Sequence, residues 1–176
     1  MITKKFPHPR EVAEPATLSI RPFASADAPA LWEILEPIIS EGSTYALPRD
    51  MPEAEALAYW TGGRMVFVAD GGGAIAGTYT LAANQRGGGD HVANCAYATH
   101  HAWRGRGVAR AMVAHSLEEA RRRGFAAMQF NFVVSTNAPA VHLWQELGFS
   151  IVGRLPGAFR HPRLGPVDAL VMFREL

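Results

Sequence analysis

The chain of 176 residues carries 17 Lys or Arg against 16 Asp or Glu, a net charge of +1, and 48% of its residues are hydrophobic. That length supports one well-buried core rather than two domains, and near neutrality without a long basic run excludes the electrostatic footprint of a nucleic-acid binder. No apolar stretch reaches membrane-spanning length, no signal-peptide core follows the basic N-terminus, and the lone Cys95 allows neither a disulfide nor a cysteine metal cluster, so the expectation is a soluble cytoplasmic protein with a small-molecule partner and no metal, membrane or nucleic acid.

Residues 1–15 hold Pro7, Pro9 and Pro15 with little periodicity, which marks an N-terminal arm ahead of a domain spanning 16–176. Thr17 to Phe23 alternates like a first strand. Ser25 and Asp27 supply helix-start chemistry before Leu31, Trp32, Ile34, Leu35, Ile38 and Ile39, whose spacing predicts an amphipathic helix that Pro37 should kink or split. Asp50, Pro52 and Glu53 have the spacing of a cap and first turn for a second helix running to Trp60. Arg64–Asp70 and Ala74–Ala83 are apolar, β-rich runs joined by Gly71, Gly72 and Gly73, the signature of an antiparallel hairpin. Gly87–Gly89 ends that meander, and His91–Thr99 reads as the next strand. A helix follows over Val108–Gly124, a strand over Phe125–Val134, a helix over Asn137–Leu147 and a strand over Phe149–Arg154. A Pro- and Gly-rich loop, Leu155–Pro166, then precedes a last strand over Val167–Phe173. Strands first and β-α-β-α-β afterwards predict an α/β (α+β) fold whose mixed sheet carries helices on both faces.

The most informative segment is Trp103-Arg104-Gly105-Arg106-Gly107-Val108-Ala109-Arg110, where small residues open the long helix. Backbone N–H groups at a helix N-terminus form an anion site that suits a pyrophosphate, although glycines there can also serve a turn alone. A P-loop needs Lys-Ser/Thr where Val108-Ala109 stands, and a dinucleotide fingerprint needs a different glycine spacing. The segment resembles the pyrophosphate motif of the GNAT superfamily of acyl-coenzyme A N-acyltransferases, Arg/Gln-x-x-Gly-x-Gly/Ala, with Arg104, Gly107 and Ala109 in register. Asn137 followed by Leu143-Trp144-Gln145-Glu146-Leu147-Gly148-Phe149 resembles the superfamily's second signature. Over residues 16–175 the resemblance implies the GNAT fold, with a mostly antiparallel sheet, and acetyl-CoA as donor. It assigns the pyrophosphate to the amides of Arg104, Gly105, Arg106, Gly107, Val108 and Ala109, the pantetheine arm to Ala98 and Thr99, and a further coenzyme contact to Asn137. Many members have Tyr where Trp144 stands. Indole only donates a hydrogen bond and cannot protonate a thiolate, so Trp144 lies against the coenzyme or packs in the core.

A narrower resemblance points to the fungal proline-analogue acetyltransferases, which act on azetidine-2-carboxylate and related cyclic imino acids. It rests on Gly42-Ser43-Thr44-Tyr45, Gly77-Thr78-Tyr79, Phe130-Asn131-Phe132 with Thr136-Asn137, Pro166-Val167-Asp168-Ala169, and Trp144 itself. It implies an acceptor pocket using Asn94, Asn131 and the main chain of Phe132, with Thr44 and Tyr45 beside them. Alternation puts Asn94 on one face with Ala96 and Ala98, and Asn131 with Val133, so the two Asn can grip a carboxylate or else satisfy backbone at a strand splay. A backbone N–H near Tyr97 or Ala98 would meet the oxyanion. Glu41, Asp90, His91 and His101 are candidate bases through water, or solvated loop residues. Cys95 reads as a buried structural thiol. His161, Arg160 and Arg163 either edge the acceptor pocket or sit in a surface loop, and Arg121–Arg123 suit a helix C-terminus. The acceptor is read as a small amine, with a protein amine or a non-catalytic acetyl-CoA sensor as alternatives, and the C-terminal strand could pair two copies as a homodimer.

Overall fold

The computed structural model describes residues 18–176, so the arm over 1–15 and the domain start at 16 lie outside the described residues. The strands are β1 (Ser19–Pro22), β2 (Met65–Asp70), β3 (Ile75–Ala83), β4 (Val92–Thr99), β5 (Ala127–Val134), β6 (Ser150–His161) and β7 (Gly165–Glu175). The helices are α1 (Ala28–Glu41), α2 (Glu53–Thr61), α3 (Val108–Arg122) and α4 (Ala138–Glu146). One sheet forms in the order β1-β2-β3-β4-β5-β7-β6. Every neighbouring pair is antiparallel except β4 with β5.

Each face of the sheet has its own core. On one, Leu31, Ile34, Leu35, Ile38 and Ile39 of α1 pack with Ala56 and Trp60 of α2 over Ala98. On the other, Met112, Val113 and Leu117 of α3 and Trp144 of α4 cover Tyr79, Leu81, Cys95, Met128 and Phe130. Polar groups buried between the sheet and its helices are paired. Trp60 Nε1 donates to Thr78 Oγ1 at 3.2 Å, which donates to the Phe67 carbonyl at 2.9 Å. Tyr79 Oη meets His115 Nδ1 at 2.7 Å.

Three local expectations need correction. α1 runs unbroken through Pro37, whose ring sits on the exposed face between core residues Leu35 and Ile38; packing on both sides outweighs the lost hydrogen bond. α2 takes Pro52 as its N-cap and begins at Glu53, leaving Asp50 outside the cap. The expected loop 155–166 is mostly strand, because β6 continues to His161 and only residues 162–164 turn. Pro156 and Gly157 are absorbed in an irregularity between Leu155 and Phe159 on an edge strand, where proline is tolerated. Asp168 of β7 pins that irregularity by accepting from Gly157 N at 2.9 Å and Arg154 Nη1 at 2.7 Å.

Those two donors, Gly157 first, hold the Asp168 carboxyl below its ordinary range. A carboxylate lowered on folding contributes stability above its unfolded pKa of about 3.9 and loses it as pH falls through the folded value. The unfolding midpoint of Asp168→Asn is therefore expected below wild type at neutral pH, with the two midpoints converging as the pH is lowered through and below the ordinary carboxylate range. A gap that stays constant down the acid series would contradict this.

Candidate active site

The site originates where β4 and β5 part. Their parallel ladder holds only at Val92 with Ala127 and Ala93 with Met128. At the next position the Gln129 carbonyl is met by the Asn94 side chain, Nδ2 to O 2.9 Å, in place of a backbone N–H. A bulge then follows in β5, since Phe130 pairs with Met172 and Val133 with Leu170, inserting one extra residue at Asn131-Phe132. The strands diverge, and a cavity of about 560 Å³ opens between them.

Backbone alternation fixes which groups of β4 face the opening. Asn84 N donates to Val92 O and His100 N to Ala76 O, so the even-numbered residues of β4 bond to β3. Cys95, Tyr97 and Thr99 consequently turn their N–H and C=O groups toward the gap. Tyr45 Oη donates to the Tyr97 carbonyl at 2.6 Å, which leaves the Tyr97 N–H directed into the cavity. Of the two backbone N–H groups singled out in the sequence, that of Tyr97 faces the gap and that of Ala98 faces β3. Ala98 is buried against α1 and α2 and does not line the cavity, whereas Thr99 does.

One end of the cavity reaches the loop before α3, with Arg104, Ala109 and Asn137 in its wall. Gly105 and Gly107 adopt φ of 74° and 79°, the left-handed region that favours glycine. A Cβ at either would meet nothing within 4 Å. Neighbouring protein does not demand small residues there; they leave an open cradle at the helix start. Gly107 caps α3 without a side-chain hydrogen bond, so the first-turn N–H groups are available to an anion. The cradle therefore fits a coenzyme pyrophosphate. Asn137 caps α4 through Oδ1 to Ala140 N.

The other end lies beside Tyr59 of α2 and the segment after α1, where Thr44, Tyr45, Asn94, Asn131 and Phe132 line the same cavity. Asn131 and Val133 do not share a face; the bulge returns Val133 to the face of Phe130. The two Asn belong to a chain of amides. Gln129 Nε2 donates to Asn131 Oδ1 at 2.8 Å, and Asn131 Nδ2 to Asn84 Oδ1 at 2.6 Å. Each is thus tied to the splay, and each keeps a second amide hydrogen for a ligand.

Cys95 lines the cavity, yet burial pushes its thiol up to about 12, which keeps it protonated near neutrality. The Tyr97 side chain lies, like that of Cys95, on the face covered by α3 and α4, its hydroxyl 2.7 Å from Ser116 Oγ and raised well above its ordinary pKa by burial. Trp144 packs 5.3 Å from Tyr97 and 5.2 Å from Phe130, ring centre to ring centre, with an edge in the cavity wall. It is both a core residue and a wall. Glu41, Asp90, His91 and His101 do not line the cavity, and among the described residues its wall contains no Asp, Glu, His or Lys. His161 is buried and accepts from Arg163 N and Leu164 N, closing the β6–β7 turn away from the site. Tyr59, Arg64, Asn84 and Gln129 carry no motif, and only the fold brings them here.

A family profile described as Acetyltransferase (GNAT) family matches residues 29–149. The chain belongs to this acetyltransferase family. A GCN5-related N-acetyltransferase from Kribbella flavida is 40% identical, with a TM-score of 0.87 over 93% of this chain and all of that one (100%). A phosphinothricin acetyltransferase of the superfamily from Sinorhizobium meliloti, solved in complex with AcCoA, shares the fold at 22% identity and a TM-score of 0.79, over 91% of this chain and 89% of that one. N-acetyltransferase aca1 of Schizosaccharomyces pombe is 30% identical over 98 residues, 55% of this chain. That alignment covers 47% of aca1, so the chain spans about half the length of this fungal relative. Acetyl-CoA is the donor of the family, and the cradle before α3 has the form it requires.

Gly107→Ala forces a side chain into a left-handed backbone, at a cost of about 1–2 kcal/mol, and occupies the cradle. The acetyl-CoA dissociation constant of this variant, measured by calorimetry, is expected to rise about tenfold or more while the unfolding midpoint falls by only a few degrees. Unchanged affinity would remove the loop from coenzyme binding.

Proposed function

We propose that this GNAT acetyltransferase moves the acetyl group of acetyl-CoA onto the amine of a small amino or cyclic imino acid, by direct attack while both substrates are bound. The observation that carries this reading is the continuous cavity through the β4–β5 splay, which joins the coenzyme cradle to the pocket beside α2 and the segment after α1. Bound acetyl-CoA supplies a thioester already activated toward amines. The chain's own task is to hold the acceptor nitrogen against that carbon, an effect worth several orders of magnitude in rate.

Several features support the division of labour. The Tyr97 N–H, aimed into the gap and steadied by the Tyr45 bond to the same residue's carbonyl, offers a donor where negative oxygen develops. Asn94 and Asn131 have spare amide hydrogens at the acceptor end. A thiol held protonated at Cys95 favours direct attack over an acetyl-cysteine route. With no carboxylate, imidazole or lysine amine in the described wall, water accepts the amine proton. A buried free Cys95 suits a cytoplasmic protein, and the exposed Ile151, Val152 and Leu155 on edge strand β6 suit pairing of two copies. No helix among the described residues is long and apolar enough to cross a membrane.

The direct test is coenzyme A release, followed with a thiol reagent, on azetidine-2-carboxylate, cis-4-hydroxyproline, common amino acids, polyamines and a Lys peptide. Turnover of the small acids is expected. Turnover of the peptide alone would contradict the acceptor class, and acetyl-CoA binding without any turnover would mark a sensor. Tyr45→Phe leaves the Tyr97 carbonyl without its donor, and kcat/KM should fall about tenfold with acetyl-CoA affinity unchanged. An unaltered rate would exclude Tyr45 from ordering the site.

A further inference from the structure

The acceptor end of the cavity carries one cation that the reading above leaves unused. Arg64, at the junction of α2 and β2, lines the cavity with Tyr59, Asn94 and Asn131. Its guanidinium carbon lies 4.9 Å from the Tyr59 ring centre, so one face of the planar group is stacked and its N–H edge is left for another partner. Several other arginines are engaged by carboxylates: Arg21 with Asp27, Arg110 with Glu146, Arg123 with Glu119, Arg154 with Asp168. Among the described residues, Arg86, Arg160 and Arg163 have no such pair but do not line the cavity. Arg64 is half-buried yet, among the described residues, pairs with no carboxylate.

The wall as a whole sharpens this. Among the described residues its charged members are Arg64 and Arg104, at opposite ends, and none is acidic. A cavity walled by aromatic and apolar groups lowers the local dielectric and strengthens the pull of each cation. Arg104 stands at the coenzyme end, beside the cradle suited to phosphate. Arg64 gives the acceptor end the same sign, which disfavours a polyamine or a Lys-rich segment and favours an acceptor bearing a negative group beside its amine. The neighbouring amide hydrogens of Asn94 and Asn131 are partly spent on Gln129 and Asn84, so they can complement such a group but cannot neutralise it.

We infer that Arg64 is the specificity-determining residue of this transferase: its guanidinium edge binds the carboxylate of the acceptor and thereby selects amino and imino acids over uncharged or cationic amines. This rests on the small-acid reading of the site and assigns the recognition of charge to a residue outside every motif. Tyr59 acts as a positioning residue that holds the guanidinium flat against the cavity mouth.

The test compares azetidine-2-carboxylate with azetidine-2-carboxamide, which present the same kind of ring nitrogen with and without the charge. Wild type is expected to favour the acid by at least tenfold in KM. Arg64→Met should raise KM for the acid about 10- to 100-fold with little change in kcat, and leave the amide unaffected. Arg64→Lys should recover part of the loss, because an ammonium keeps the charge without the fork. Wild type turning over acid and amide equally, or Arg64→Met weakening both alike with acetyl-CoA affinity intact, would overturn the role of Arg64 while leaving the acceptor class standing. Wild type acetylating neither compound, but a polyamine or Lys peptide instead, would overturn the acceptor class and this inference together.

Discussion

The hydrogen bond from the Asn94 side chain to the Gln129 carbonyl is the point from which the rest of the molecule's chemistry follows. Where a parallel ladder would continue, a side chain takes the place of a backbone donor, and β4 and β5 are free to part. A sheet cannot open in its middle without leaving backbone groups unpaired, and burying such groups without partners is costly. Two side chains meet that cost here: Asn94 satisfies β5 and Tyr45 satisfies the Tyr97 carbonyl, while the remaining N–H of Tyr97 is the donor of the proposed reaction. The same gap that would weaken an ordinary sheet opens the cavity.

Everything around the opening keeps it in register. The core under α3 and α4 holds β4 and β5 together below the splay through Cys95, Met128 and Phe130. The core under α1 and α2 fixes the segment that delivers Tyr45, which also meets Trp60 edge-on at 5.8 Å. Farther out, Asp168 closes the irregularity in β6, and Phe159 behind it packs 6.2 Å from Phe132 in the cavity wall. Rigid surroundings matter because transfer by positioning tolerates little misplacement.

Legibility in the sequence followed the range of the interactions. The alternation of β2 and β3, the glycine turn between them and the apolar period of α1 and α3 are local, and they could be read directly. The coenzyme loop was readable because the residues from Arg104 to Ala109 are contiguous and their spacing is set by one helix start. The bulge at Asn131-Phe132 was not, since it exists only against β7, and it reversed the expected facing of Val133. Pro156 and Gly157 looked like a loop because the carboxylate that pins Gly157 lies 11 positions further on, at Asp168. Arg64 and Tyr59 were invisible for the same reason. They carry no spacing rule, and only the packing of α2 against the sheet brings them to the acceptor end.

Direct transfer requires both substrates to occupy the cavity together. Initial rates measured over a grid of acetyl-CoA and acceptor concentrations separate this from a two-step route through a covalent acetyl-enzyme. Intersecting double-reciprocal lines, unchanged in pattern by Cys95→Ala, are the predicted result. Parallel lines, with labelled acetyl retained on the protein in the absence of acceptor, would contradict it.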